Sequence, residues 1–213
     1  MHRAHILDLL PIGIAVLDPR ARIRYSNRCL SGLLRSSNEI AINDGILSVR
    51  SSAHNRVFSE ALSQLASGSA DGPIGFTIAR SKLHPLSVVL TALRPGHPSP
   101  PVPSGKRIVA LLCDPDFPIQ PPIPLLKQLF DFTPMEAAVA SLMLQFRDTR
   151  TIAGELAISH ETVRKHLKAM FAKTHCRNQA ELLHVLLFNP AILLFSTDQY
   201  HLSLPMIQRI HGT

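Results

Sequence analysis

The run ISHETVRKHLKAMFAKT, residues 158–174, restricts this chain more than any other stretch. Wound at about 100° per residue, Val163, Leu167, Met170, Phe171 and Thr174 fall on one stripe. Arg164, Lys165 and Lys168 fall on the opposite side, with Glu161 beside them. Ser159 stands where such a helix needs its N-cap. The helix must bury its apolar stripe against other helices, and it leaves three long cations in water. A helix seated in the major groove of duplex DNA has the same form.

The flanking sequence supplies the helices it would need. Thr133-Pro134-Met135-Glu136 has threonine at N-cap, proline at N1 and glutamate at N3, a capping box. Met135, Val139, Leu142, Met143 and Phe146 then recur at helical spacing. Asp148 can cap a short helix over residues 149–156, with Ile152, Ala153 and Leu156 inward and Ala157-Ile158 as the turn into Ser159. Asn178-Gln179-Ala180-Glu181 opens a further helix carrying Leu182, Leu183, Leu186 and Leu187, which Asn189-Pro190 should end. The spacing predicts four short helices, the third basic on its outer face, in a compact helix-turn-helix.

These motifs resemble the LuxR/FixJ-type DNA-binding domain. FTPME (132–136), IAGELAIS (152–159), SHETVRKHLKAMFAKT (159–174) and RNQAEL (177–182) occur in that family's order and spacing. The resemblance implies that Arg164, Lys165 and Lys168 read bases in the major groove, and that Thr162 and His166 contact the backbone. On the helical wheel Thr162, His166 and Lys173 form the flank where phosphates would lie, and Ser159 adds the free N–H groups of a helix start. Arg177, just past the helix, completes the expected contact set. Four positions depart from the pattern: the family usually has glycine where Phe146, Ala157 and His175 stand, and glutamate at Thr151. These changes bear on turns and scaffold more than on the binding mode.

Plainer readings of the same residues stay open. Lys165 follows Glu161 by four positions and could form only a surface pair. Lys173 and Arg177 could serve the helix dipole. His166 suits either a phosphate contact or half-buried packing. His175 and Cys176 lack partners at zinc spacing. For Arg164 and Lys168, one turn apart and opposite the apolar stripe, the DNA reading is the stronger.

The first half reads differently. Residues 6–10 suggest a short helix, Gly13–Leu17 a strand, Asp18–Ala21 a turn, and Arg22–Tyr25 the returning strand. Ser26 or Asn27 caps a helix through Leu34, and a second helix runs from about Ser52 to Leu65, ended by Ser67-Gly68. Three further strands follow, 75–79, 86–93 and 108–113. The segment LLPIGIAVLDPRARIRYSNRCLSGLL (9–34) resembles the opening of a PAS domain. That resemblance implies a five-stranded sheet whose helices enclose a small cavity or serve dimerisation. It names no cofactor: none is expected, and a pocket ligand stays unidentified.

The fold class expected is therefore α+β: a PAS-like antiparallel sheet with helices over 1–116, a proline-rich linker over 117–126, an all-α four-helix LuxR-type domain over 127–188, and a tail over 189–213. Pro95–Gly105 reads as a stiff loop and Pro118–Pro124 as an extended tether. With 213 residues the chain can bury two small cores, and its net charge of +7 suits a polyanion. Aromatics at 5% and the absence of tryptophan argue against base-stacking platforms for RNA or single strands. Three widely spaced cysteines read as reduced thiols of a cytoplasmic protein.

Asp8 and Pro11 interrupt any export signal, and the apolar run 182–195 is too short to span a bilayer, so no membrane role is expected. Duplex DNA, RNA polymerase and a second copy of the chain are the partners expected. No nucleophile–base pairing, glycine-rich phosphate loop or metal spacing supports catalysis. Paired acids after the first strand, which a phosphoacceptor receiver needs, are also missing. A sigma-like promoter-recognition protein and a small-ligand sensor are the competing readings.

Overall fold

The computed structural model describes residues 6–93, 106–116 and 123–190. It divides the chain into two compact units, Met1–Phe117 and Pro118–Thr213. The expected loop at 95–105, residues 117–122 of the expected linker, and the tail beyond Pro190 lie outside the described residues.

In the first unit a 3₁₀ helix, Ile6–Leu9, precedes β1 (Gly13–Leu17) and β2 (Ile23–Ser26). Asp18 organises the turn between them: its Oδ1 accepts the N–H of Arg20 at 2.9 Å and of Arg22 at 3.0 Å. The returning strand starts one residue later than expected, and Arg22 forms an isolated bridge to Ile46. Helix α1 (Arg28–Ser36) is capped by Asn27.

A hairpin that the sequence reading missed follows, β3 (Ile40–Asn43) and β4 (Ile46–Val49). Asp44 and Gly45 form its tip at φ 51° and 76°, the two positive angles of a type I′ turn. Helix α2 (Ser52–Ser67) ends at Gly68, held at φ 82°. Strands β5 (Ile74–Ile78), β6 (Leu86–Ala92) and β7 (Ile108–Cys113) complete an antiparallel sheet of order β2-β1-β7-β6-β5. Counted within that sheet alone the order is 2-1-5-4-3, so the last strand lies at the centre beside the first.

Both helices pack on one face of this sheet. Cys29, Leu30 and Leu33 of α1 and Phe58, Leu62 and Leu65 of α2 meet Leu17, Val88, Leu90 and Ala110 in a single core. Helix α1 approaches β1 so closely that a Cβ on Gly13 would lie 2.8 Å from Leu33 Cδ1 and 3.3 Å from the Leu30 backbone. Side chains nearly fill the interior. A cavity of about 10 Å³ remains among Ile40, Leu47, Phe58, Ile78 and Val88, roughly the space of one water and lined by apolar groups. The mixed sheet-and-helix architecture expected from the PAS resemblance is present.

Among its described residues the second unit is all-helical, with one helix more than the four expected. Helix α3 (Ile123–Phe130) occupies part of the expected linker, and its Leu126 is fully buried. Proline at position 124 does not block it, since a first-turn N–H has no partner to lose. Then come α4 (Pro134–Leu144), α5 (Thr149–Glu155), α6 (His160–Thr174) and α7 (Gln179–Leu187). Val139, Met143, Ile152, Val163, Met170, Leu182 and Leu186 form the shared core. Among the described residues no helix is long and apolar enough to cross a membrane.

Candidate nucleic-acid interface

The recognition candidate, α6, is fixed at both ends. Ser159 Oγ accepts the N–H of Thr162 at 3.0 Å and shares a second hydrogen bond with the Thr162 hydroxyl at 2.8 Å. His160 Nε2 lies 2.8 Å from Thr149 Oγ1, tying the start of α6 to the start of α5. The sequence reading missed this link, because neither residue is unusual by itself. At the other end Lys173 reaches back to α4: its Nζ lies 2.6 Å from the Asp131 carbonyl and 2.8 Å from Glu136 Oε2.

That contact gives Lys173, expected on the phosphate flank, a structural role as well: it braces α6 against α4. Its side chain is 29% exposed and that of Glu136 only 6%. Burial pushes the Glu136 carboxyl up, but the Lys173 ammonium and the Thr133 N–H outweigh it and leave the group below its ordinary value. Glu136 also closes the capping box by accepting the Thr133 N–H at 2.8 Å.

Between the two ties, Val163, Leu167 and Met170 are buried at 0%, 7% and 0% exposure, and Arg164, Lys165 and Lys168 are exposed. The pair Glu161–Lys165 is not formed; among the described residues Arg164, Lys165, Lys168 and Arg177 enter no ion pair. These four cations line an open depression of about 680 Å³, with Thr149 and His160 also in its wall. Thr162 and His166 are half-buried on the neighbouring side of the helix. Arg177 is positioned through its backbone, whose N–H donates to Glu181 Oε2 at 2.8 Å. Among the described residues no cluster of His, Cys, Asp and Glu could hold a metal ion.

The turns around α6 explain how non-glycine residues occupy positions where the resembled family has glycine. Phe146, Ala157 and His175 stand at φ 58°, 52° and 57°, all left-handed. In each case the next residue closes a bond five positions back: Arg147 N–H to Leu142 O, Ile158 N–H to Ala153 O, and Cys176 N–H to Phe171 O. That is the closing bond of a Schellman motif. The turn geometry survives the loss of glycine, at the cost of strain at three positions.

Residues 131–186 match the model of "Bacterial regulatory proteins, luxR family". No curated protein matches the chain. Among solved structures the chain is similar to the phage VqmA–DPO complex, at 17% identity and TM-score 0.36 over 94% of this chain and 93% of that one. It is similar also to a Vibrio cholerae VqmA dimer, at 16% identity and TM-score 0.37 over 89% and 90%. A PAS domain from Desulfitobacterium hafniense matches at 12% identity and TM-score 0.32, covering 51% of this chain and 96% of that chain. Scores this low leave the fold to rest on the strand order and helix packing themselves. The helical unit is another matter, since its cap residues, turns and core agree with the family match: residues 131–186 are a luxR-family helix-turn-helix domain.

Proposed function

We propose that this chain is a sequence-specific transcriptional regulator that binds duplex DNA as a homodimer, with α6 in the major groove. The carrying observation is the unpaired cationic face of Arg164, Lys165 and Lys168, opposite buried Val163, Leu167 and Met170. Arginine and lysine donate to guanine O6 and N7, and a good contact discriminates by roughly 1–3 kcal/mol. Thr162, His166, Arg177 and the N–H groups at Ser159 form the phosphate-contacting rim. Lys173 is left out of this set, because its ammonium already serves Glu136 and Asp131.

One helix touches too few base pairs for useful specificity, so two copies reading half-sites about one helical turn apart are required. Residues 1–116 are the PAS-like module that pairs or senses, 117–126 the tether, and 127–188 the reading head. RNA polymerase is the partner through which bound DNA changes transcription, and the protein acts in the cytoplasm.

Selection of bound sequences from a random duplex pool supplies the operator. Titrations of wild type and Lys168→Ala against salt then test the assignment. The variant should bind the operator roughly 5–150-fold more weakly and discriminate less at one base pair. Arg177→Ala should weaken all sequences alike and lower the salt slope by about one. Equal binding by Lys168→Ala and wild type at every salt concentration would overturn the reading.

A further inference from the structure

We infer that Glu161 reads a cytosine in the major groove and sets the base preference of α6 at that position. This deepens the DNA-binding reading proposed above and rests on it. Glu161 lies in the first turn of α6 and is exposed. It lines the same depression as Arg164, Lys165, Lys168 and Arg177. Counted at about 100° per residue from Arg164, Lys168 stands at about 40°, Glu161 at about 60° and Lys165 at about 100°. The carboxylate therefore stands at the centre of the cationic face, not at its edge.

Two plainer roles leave that placement unexplained. An i,i+4 pair would neutralise Glu161 against Lys165, but among the described residues Glu161 enters no ion pair. Complementing the helix dipole needs an acid anywhere in the first turn. Positions 160 and 162, at about −40° and about 160°, lie off the cationic centre and would serve as well. A carboxylate aimed at duplex DNA is repelled by the phosphates of every sequence. It gains only where a base donor meets it.

The chemistry of the base edges names that donor. The N-terminal residues of a recognition helix are the ones that contact base edges. In the major groove guanine shows two acceptors, thymine an acceptor and a methyl group, and adenine an acceptor beside its donor. Cytosine alone shows only a donor, its N4 amino group. The turn that carries Glu161 is also held on both sides. Ser159 Oγ accepts the Thr162 N–H at 3.0 Å, and His160 Nε2 lies 2.8 Å from Thr149 Oγ1. A contact that discriminates between bases needs such support.

The test uses the full chain as wild type, Glu161→Ala and Glu161→Gln. Bound sequences are selected from a random duplex pool, and each form is then titrated on the wild-type operator and its single-base variants. Wild type should require a cytosine at one position, and replacing it should cost at least about fivefold. Glu161→Ala should lose that preference and bind random duplex more tightly than wild type, because a repelling charge is gone. Glu161→Gln should turn the preference toward adenine, since glutamine pairs with adenine N6 and N7. A folding defect would produce neither tighter random binding nor a new preference.

Unchanged discrimination by Glu161→Ala, whether affinity shifts uniformly or not, would overturn the proposal and leave Glu161 to the helix dipole. Wild-type selection in that same experiment would keep the DNA reading standing. No selection by wild type would sink the DNA reading, and this proposal with it.

Discussion

Replacing Asn27 by aspartate should cost the first unit about 3–5 kcal/mol, although the two side chains have nearly the same shape. Asn27 is 1% exposed and uses its whole amide. Its Oδ1 accepts the N–H of Ile14 at 2.8 Å and of Leu30 at 3.0 Å. Its Nδ2 donates to the carbonyls of Leu7 and Ile12, both at 2.8 Å. One residue thus caps α1 and ties the 3₁₀ helix to the start of β1. Asn27→Asp keeps the acceptor and turns the donor into an oxygen facing two carbonyl oxygens. Two hydrogen bonds are lost at about 1 kcal/mol each, two part-buried carbonyls lose their donor, and a charge is left without a counterion.

Burial among acceptors raises the folded pKa of the introduced carboxyl above its unfolded value near 3.9. Its favourable contribution is then complete below that value and lost as pH rises through the folded one. The deficit against wild type should be widest at neutral pH and should narrow in acid. Hydrogen exchange at β1 and α1 amides reads it, with α6 amides as the control because every contact of Asn27 lies in the first unit. A loss below about 1 kcal/mol, or a deficit independent of pH, would refute the assignment of these four bonds.

Other perturbations follow from the same geometry. Ala157→Gly should stabilise the helical unit by about 0.5–1 kcal/mol, because the relief of left-handed strain at φ 52° exceeds the entropy that glycine adds to the unfolded chain; slower α6 amide exchange would register it. Lys173→Ala should destabilise the same unit by about 1–3 kcal/mol, less than a fully buried pair, since Lys173 is 29% exposed. The depressed Glu136 carboxyl gives a contribution that is present above its ordinary value of 4.5 and lost as pH falls through the folded one, so Glu136→Gln should flatten the acid limb of the stability curve. Arg80→Ala strands Asp114, whose side chain is 7% exposed and 2.6 Å from the guanidinium; a loss of about 3–5 kcal/mol in β5 and β7 exchange is expected, partly recovered by adding Asp114→Ala.

What the sequence reveals and what it hides divide along chain distance. The caps Asn27, Thr133, Asp148, Ser159 and Asn178 each act within a few residues, so residue type and spacing expose them. The stripe of Val163, Leu167 and Met170 is likewise written in one helix. The β3–β4 hairpin had a signal, Asp44-Gly45, but its strands of four residues mix apolar groups on both faces and blur the alternation. Helix α3 was hidden by reading Pro124 as the mark of an extended tether, although proline is at home in a first turn. The Lys173–Glu136 contact spans 37 residues, and no local pattern contains it.

That long-range contact also shows why a cation near a recognition helix is not automatically a reader. A base-reading side chain discriminates only if its helix is held still, because an error of an ångström at the backbone moves a donor off the guanine edge. Helix α6 meets this requirement from two directions, through Thr149 at its start and through Glu136 and Asp131 at its end. On the DNA-binding reading proposed above, one cation of α6 fixes the angle of the other three, Arg164, Lys165 and Lys168. Lys173→Ala should therefore lower operator specificity more than it lowers low-salt affinity for random duplex, a split that loss of a phosphate contact would not produce. Equal loss on operator and random DNA, with the salt slope reduced by about one, would return Lys173 to the phosphate rim.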